Sequence, residues 1–361
     1  LLGGIFVIVY QLLKKRDTLG NMGENALAMR HLRLASALDE KRLKRTTFIL
    51  AIIFTLSYII YAGSAFRADL DNALFASVYN VATSLGVFAI FYISINMVLR
   101  YMVQPRQNTV SRDKAFNIKG WLLYSLVIFM AIIPMLLLNF PGTMTVDSFY
   151  QLNQARGIVP YSDHHPWFHT LLIKAFFNLG YILSGNVTVG IGTYSILQML
   201  IVALTVGYAA ASIEEISGSK KGSLIILVGF IIYPYNLAYS ITMWKDIIFS
   251  VSVLLLTITL YRIYVVKIPL KARDTIIFSI SGLMMCLLRH NGFYAYVLTL
   301  GIIILSEFIK YIKTRKDILK KHSYSTEQLR QLFYIFLATI GIVFIINHPI
   351  QSAFNVEQGD Y

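Results

Sequence analysis

Charge is what this sequence has least of. Asp, Glu, Lys and Arg make up 14% of its 361 residues against 57% hydrophobic, and the mean hydropathy is +0.63. A soluble domain of this length needs more polar surface, so the composition belongs to the membrane class. Cysteine is nearly missing. The lone Cys286 lies inside an apolar run, which excludes a disulfide framework and leaves the redox compartment open. Strictly alternating polar and apolar segments are lacking, so the pattern of a transmembrane β-barrel is excluded. No internal repeat is visible, and no spaced metal-ligand motif. The opening LLGGIFVIVYQLL has neither a charged n-region nor an initiator Met, which argues against a cleavable signal peptide and makes further residues before Leu1 expected. The abrupt stop at NVEQGDY raises the same expectation beyond Tyr361.

What is present is a series of long apolar runs. FILAIIFTLSYIIYAGSAF, ALFASVYNVATSLGVFAIFYISINMVL and VGIGTYSILQMLIVALTVGYAAA each reach the length needed to cross a hydrocarbon core of about 30 Å as a helix. The expected architecture is therefore all-α, a polytopic transmembrane helix bundle. Helices are expected over 1–13, 47–66, 73–99 and 121–139, then over 187–211, 223–239, 247–264, 275–288, 293–309 and 332–347. Residues 14–46 read as a basic cytoplasmic loop, with a helix lying on the anionic inner surface as an option. Two modules are expected: N-terminal helices with basic loops over 1–120, and a second module over 121–361 with an outer loop at 140–185.

The run 166–183 decides the topology. It is short and carries His169, Lys174 and Asn178. If it spans, every later loop changes side. If it lies flat as an interfacial, juxtamembrane helix, all but five of the 32 Lys and Arg collect in loops on one side. The flat reading satisfies the positive-inside rule and the spanning one breaks it. The net charge of +14 therefore reflects orientation in a membrane, and nucleic acid is not an expected partner. The five exceptions are Arg67, Arg156, Lys174, Lys245 and Arg289. Basic residues kept on the side from which they are otherwise excluded are candidates for binding an anion.

Four segments meet the outer boundary in this arrangement: 139–170, 233–250, 287–296 and the C-terminal stretch with His348. They bring together Asp147, Asp163 and Asp246 with Lys245, Arg289, His164, His165 and His290. Each has a plainer reading. Asp147 suits the N-cap of the helix that starts near SFYQLNQ. DHHP at 163–166 suits a turn followed by a helix starting at Pro166. Lys245 and Asp246 suit a self-compensating pair at a helix end. Arg289 and His290 suit interface snorkelling. His348, before Pro349, reads as structural. One of His164 and His165, with Asp147 or Asp163, suits a divalent cation such as Mg or Mn. Tyr150, Tyr161, Trp167 and Trp244 suit stacking on a sugar ring or a prenyl chain, although most aromatics among 23 Tyr and 23 Phe are packing.

The segments VDSFYQLNQARG…YSDHHPWFHTLL, SITMWKDIIFS and LLRHNGFYAY together resemble the GT-C superfamily of polytopic membrane glycosyltransferases, in an uncharacterised bacterial branch. The resemblance covers roughly 121–350; the helices before residue 120 have no assigned counterpart. It implies a sugar donor linked to polyprenyl phosphate, an acceptor that is a cell-envelope glycan or a lipid, and transfer on the extracytoplasmic face with inversion. The family's loop carboxylate falls on Asp147, as general base or as metal ligand. Asp163, His164, His165, Lys245, Arg289 and His290 become substrate-binding candidates, with the cations facing the donor phosphate. Many members carry two consecutive acidic residues at that loop, whereas Ser148 follows Asp147 here, so the base and metal roles both stay open. The rival readings are a polymerase or ligase of lipid-linked glycans, and a transporter or flippase of an anionic lipid. Transporters set ionisable groups near the midplane on broken helices.

Overall fold

A computed structural model describes residues 26–62, 73–103, 116–266, 270–316 and 326–359. The helix expected over 1–13 and Arg67 lie outside them. The chain divides into two compact units, residues 8–109 and a larger unit built on 110–361. The division falls eleven residues ahead of the 120/121 boundary.

The smaller unit holds α1 (Ala26–Ala62) and α2 (Ala73–Val103). The pair is sewn by aromatic contacts, Phe48 on Phe88 at 5.6 Å and Phe54 on Phe91 at 5.5 Å. α1 runs unbroken from the basic segment into the apolar one, so, among the described residues, 26–46 are not a loop or a separate surface helix but continue into the apolar helix. The physical reason is composition: ALAMRHLRLASALDEKRLKR contains neither Gly nor Pro and is rich in strong helix formers. Thr47 and Thr55 donate their hydroxyls to carbonyls one turn back, which satisfies them without an outside partner.

The larger unit is built around α6 (Val187–Ser217), 31 residues long and the most buried of the apolar helices. A helix that is apolar on all sides belongs in a core. Against it pack α3 (Ile118–Leu138), α5 (Trp167–Ser184), α7 (Lys220–Ile232) and α9 (Lys245–Tyr261), and the short α4 (Val146–Ala155) packs on α5. Beyond α9 lie α10 (Ala272–Leu288), α11 (His290–Lys316) and α12 (Thr326–Ile345). A second apolar core fills the space among α9 to α12, with Phe278, Tyr296 and Leu300 fully buried.

Six helical segments among the described residues are long and apolar enough to cross a bilayer: Ser77–Asn96, Ile118–Leu138, Val187–Ser217, Lys245–Tyr264, His290–Ile309 and Arg330–Ala353. The helix expected over 223–239 is in fact two, α7 and α8 (Pro234–Ser240), bent by 76°. Pro234 opens the second, where a proline fits, and holds Tyr233 extended. α5 is a helix as expected and is not among the segments apolar enough to span. α12 runs on through a wide π-helical turn, Ile346–Ile350, into a last helical turn, α13 (Gln351–Ala353). Pro349 has no N–H to continue the regular ladder, and the wider turn absorbs that loss.

Candidate functional site

The site begins with two strands of two residues each. β1 (Thr143–Met144) pairs in parallel with β2 (Thr242–Met243), Thr143 opposite Thr242 and Met144 opposite Met243. The threonine hydroxyls meet at 2.7 Å. Gly142 makes the approach possible. Its φ is +120°, and a Cβ there would lie 2.8 Å from the Ile241 carbonyl oxygen. Gln198 of α6 holds β2 from behind, donating to the carbonyls of Thr242 at 2.8 Å and Ser240 at 3.1 Å. Ser148 closes the far side by donating its hydroxyl to the Met243 carbonyl.

That register brings the residues after each strand face to face. Asp147 stands in the first turn of α4, and Lys245 is the first residue of α9. Lys245 Nζ lies 3.4 Å from Asp147 Oδ2 and donates to His165 Nδ1 at 3.0 Å. His165 Nε2 faces Asp147 Oδ1 at 3.6 Å, beyond hydrogen-bond length. The N-cap of α4 is Thr145, whose hydroxyl accepts from the Ser148 N–H, so the capping role read for Asp147 belongs two residues earlier. The carboxylate is left pointing at the cation and the imidazole.

Lys245 works against its position. Only 9% exposed, it puts a cation at the N-terminus of a helix, where the macrodipole disfavours it by about 0.3–1 kcal/mol. It is held there by Asp147 and His165, and not by the adjacent Asp246. Asp246 pairs instead with Arg289, Nε to Oδ1 at 2.8 Å, and the guanidinium lies over the Phe249 ring at 5.7 Å. The sequence neighbours Lys245 and Asp246 therefore form two crosswise ion pairs, not one self-compensating pair.

His165 is neutral here. Burial, then the Lys245 ammonium, push it below the ordinary imidazole range; Asp147 pulls it up, and neighbouring His164 lowers it again. An ammonium only donates, so Nδ1 is the accepting nitrogen and the ring proton sits on Nε2, toward Asp147. No lone pair of His165 is left over. Of the two side chains, Asp147, with 43% of its side chain exposed, is the one able to accept a further proton.

The other candidates divide. His164 is exposed and lies against His165 at 4.7 Å between ring centroids. Asp163 does not join the centre, contrary to its expected role as a second carboxylate there. It accepts from the Gly359 N–H at 2.6 Å and from Gln351 Nε2 at 3.2 Å. With the bridge between Ser162 and Glu357, it straps the C-terminal stretch onto the loop. Gly359 packs so closely that a Cβ would meet the His164 backbone at 2.5 Å. His290 lines a cavity beneath the strap. Lys174 donates to the Tyr161 hydroxyl at 2.8 Å, and Arg156 is exposed at the end of α4. Of the two carboxylates expected as alternatives for Mg or Mn, Asp163 serves the strap, and Lys245 fills the cationic position beside Asp147. No group of three or more His, Cys, Asp or Glu among the described residues is set to share a cation. These side chains do not fit a divalent metal.

Behind the centre runs a buried polar chain that sequence reasoning missed. His169 of α5 meets Gln151 Oε1 of α4 at 2.8 Å and the Tyr194 hydroxyl of α6 at 2.9 Å, and Tyr194 reaches Gln198 Oε1 at 3.1 Å. Gln151 Nε2 donates to Thr170, so its Oε1 faces His169 and the imidazole proton sits on Nδ1. Tyr194 then has one proton for two acceptors. Protonating His169 would satisfy both, gaining one hydrogen bond of about 0.5–1.5 kcal/mol. Burying the charge costs several. Desolvation wins, and burial, with the Lys245 ammonium nearby, pushes His169 down to about 3. The chain is a neutral brace running from α4 and α5 through Gln198 to β2. Its legible signal was Gln198 in the middle of an apolar span.

Residues 156–315 match the sequence model of a family described as a family of unknown function, DUF6020. The match includes Asp163, His164, His165, Lys245, Arg289 and His290 and begins after Asp147. No curated protein and no solved structure matches the chain.

Proposed function

We propose that this chain is an integral membrane glycosyltransferase of GT-C type. It moves a sugar from a polyprenyl-phosphate donor to a cell-envelope glycan or lipid acceptor on the extracytoplasmic face. The observation that carries the reading is the convergence of Asp147, Lys245 and His165, fixed by the β1–β2 register at the ends of apolar helices. Asp147 takes the proton of an acceptor hydroxyl as the new bond to the anomeric carbon forms. The bond from that carbon to the donor phosphate oxygen breaks, and the polyprenyl phosphate leaves with the electron pair. Lys245 spends two of its three N–H groups on Asp147 and His165 and keeps one. Arg289 faces Asp246 through Nε as an ion pair, donates to it from Nη2 and keeps Nη1. Those spare donors answer the negative charge that develops on the leaving phosphate, an effect stronger beside a lipid wall than in water. His165 positions Lys245 and has no proton-accepting role of its own.

The flippase reading asks for ionisable groups within the spans. Here the centre uses the first turns of α4 and α9 and the junction between α10 and α11. The decisive experiment is Asp147→Asn, assayed in proteoliposomes with lipid-linked sugar donors. Transfer should fall about 10²–10⁴-fold, with the elution profile unchanged and the melting temperature somewhat lower, because the buried Lys245 loses its carboxylate partner. A fully active variant removes the base role.

A further inference from the structure

Under the C-terminal strap lies a cavity of about 250 Å³ that the Asp147 centre does not use. The loop that presents His165 to Lys245 turns Asp163 and Trp167 toward this space, so the two share a wall. The opposite wall comes from His290, at the start of α11, and from Asn347, His348 and Gln351, on the π-helical turn and just after it. The wide turn is what carries these last three to the cavity.

One group in the lining is waiting for a ligand. Trp167 is 3% exposed, and its indole N–H has no acceptor. A buried donor left unmade costs about 1–3 kcal/mol. The rest of the lining says what would supply the acceptor. Asn347 and Gln351 each offer donors and an acceptor, the imidazoles offer one or the other at each nitrogen, and Asp163 only accepts. None of the lining residues is Lys or Arg. An anion would meet the Asp163 carboxylate, and no Lys or Arg of the lining would offset it. An apolar ligand would leave the amides and the carboxylate dry and unpaired. A ring bearing several hydroxyls, each both donor and acceptor, matches the mixture. The volume is below the range of about 300–1,000 Å³ typical for drug-sized ligands, which suits one ring and no more.

We infer that this cavity is a binding site for a single uncharged monosaccharide unit, with Trp167 donating to a ring oxygen and Asp163 accepting from a hydroxyl. The chemistry stands alone; only the purpose, holding a sugar within reach of Asp147, rests on the transferase reading. The sugar could belong to the donor or to the acceptor.

The test uses the full chain in detergent and ligand-observed NMR with free glucose, galactose, mannose, arabinose and N-acetylglucosamine at millimolar concentration. Inorganic phosphate serves as the anion probe. At least one sugar should bind. Trp167→Phe, which keeps the ring against Phe354, and Asn347→Leu should each weaken binding about tenfold, as expected for one lost hydrogen bond at the strong end of its range. In transfer assays the same two variants should raise KM for the donor alone, which assigns the ring to the donor, or for the acceptor alone, which assigns it to the acceptor. The inference is overturned if no sugar binds, if both variants bind as the parent does, if phosphate displaces the sugar, or if neither KM moves while transfer is active. A chain without transferase activity that still binds sugar in a Trp167-dependent way overturns the transferase reading and leaves this one standing.

Discussion

Lys245 is the residue whose cost is hardest to explain by structure alone. A buried ammonium at a helix N-terminus opposes the helix dipole and gives up water, and it gains Asp147 and His165 in return. Replacing a buried charge by an apolar side chain of similar volume is often neutral or stabilising, provided that no partner is stranded. Asp147 keeps 43% of its side chain exposed and His165 is neutral, so neither is stranded here. Lys245→Met should therefore leave thermal stability within about 1 kcal/mol while transfer drops sharply. It carries a second readout. The Lys245 ammonium is one cause of the low His165 value, so its removal should let His165 titrate at higher pH, closer to the ordinary 6.5. NMR titration of the imidazole checks this. An unchanged His165 in an inactive variant would mean that the lysine never faced the ring.

At the scale of elements, the centre depends on a ladder of two residue pairs. The Asp147–Lys245 contact spans 98 residues of sequence. Gly142→Ala puts a side chain at φ +120° and 2.8 Å from the Ile241 carbonyl. The backbone strain alone is on the order of 1–3 kcal/mol. The expected outcome is a lower melting temperature together with loss of transfer, because β1 can no longer hold its register with β2. Thr143→Val removes one hydroxyl contact and keeps the backbone, so it should be far milder in both assays. Equal losses in the two variants would argue that the ladder does not set the site.

The same elements show what the sequence disclosed. The long apolar runs and the polar loop between α3 and α6 were legible because hydropathy acts over twenty residues and the bilayer demands it. Lys245 and Arg289 stood out in the sequence as exceptions to charge exclusion. The pairing of Asp147 with Lys245 did not, because a ladder two residues long has no periodicity to read. The break at Tyr233–Pro234 did have a local signal, the proline itself, and continuous hydropathy over 223–239 masked it. The role of Asp163 was hidden for another reason. Its partner Gly359 lies 196 residues away and bonds through backbone N–H, which no side-chain pattern reports.

For the whole molecule, the larger unit has two chemically different ends. One carries the Asp147 centre at the starts of α4 and α9. At the far end of α9, Arg262 is 2% exposed, ion-paired with Glu215 at the end of α6 and within 3.5 Å of Asp274 at the start of α10. Arg273 joins Asp274 at 2.8 Å and lies over the Phe116 ring at 3.7 Å. Two of the basic residues counted at this end are thus locked in ion pairs, and the positive-inside rule counts Lys and Arg and not net charge. It follows that the loop before α5 and the loop after α6 should lie on opposite sides of the membrane, with the Asp147 centre outside. Ser162→Cys and Ser217→Cys, each made in a Cys286→Ala background, test this directly. The native thiol is buried, so its removal mainly lowers background. A membrane-impermeant maleimide applied to intact cells should label position 162 and spare position 217 until the membrane is opened. Labelling of both from outside would mean that α5 crosses the bilayer after all. The basic loop at 212–222 would then be extracytoplasmic, and the assignment of the catalytic face would lose its charge-based support.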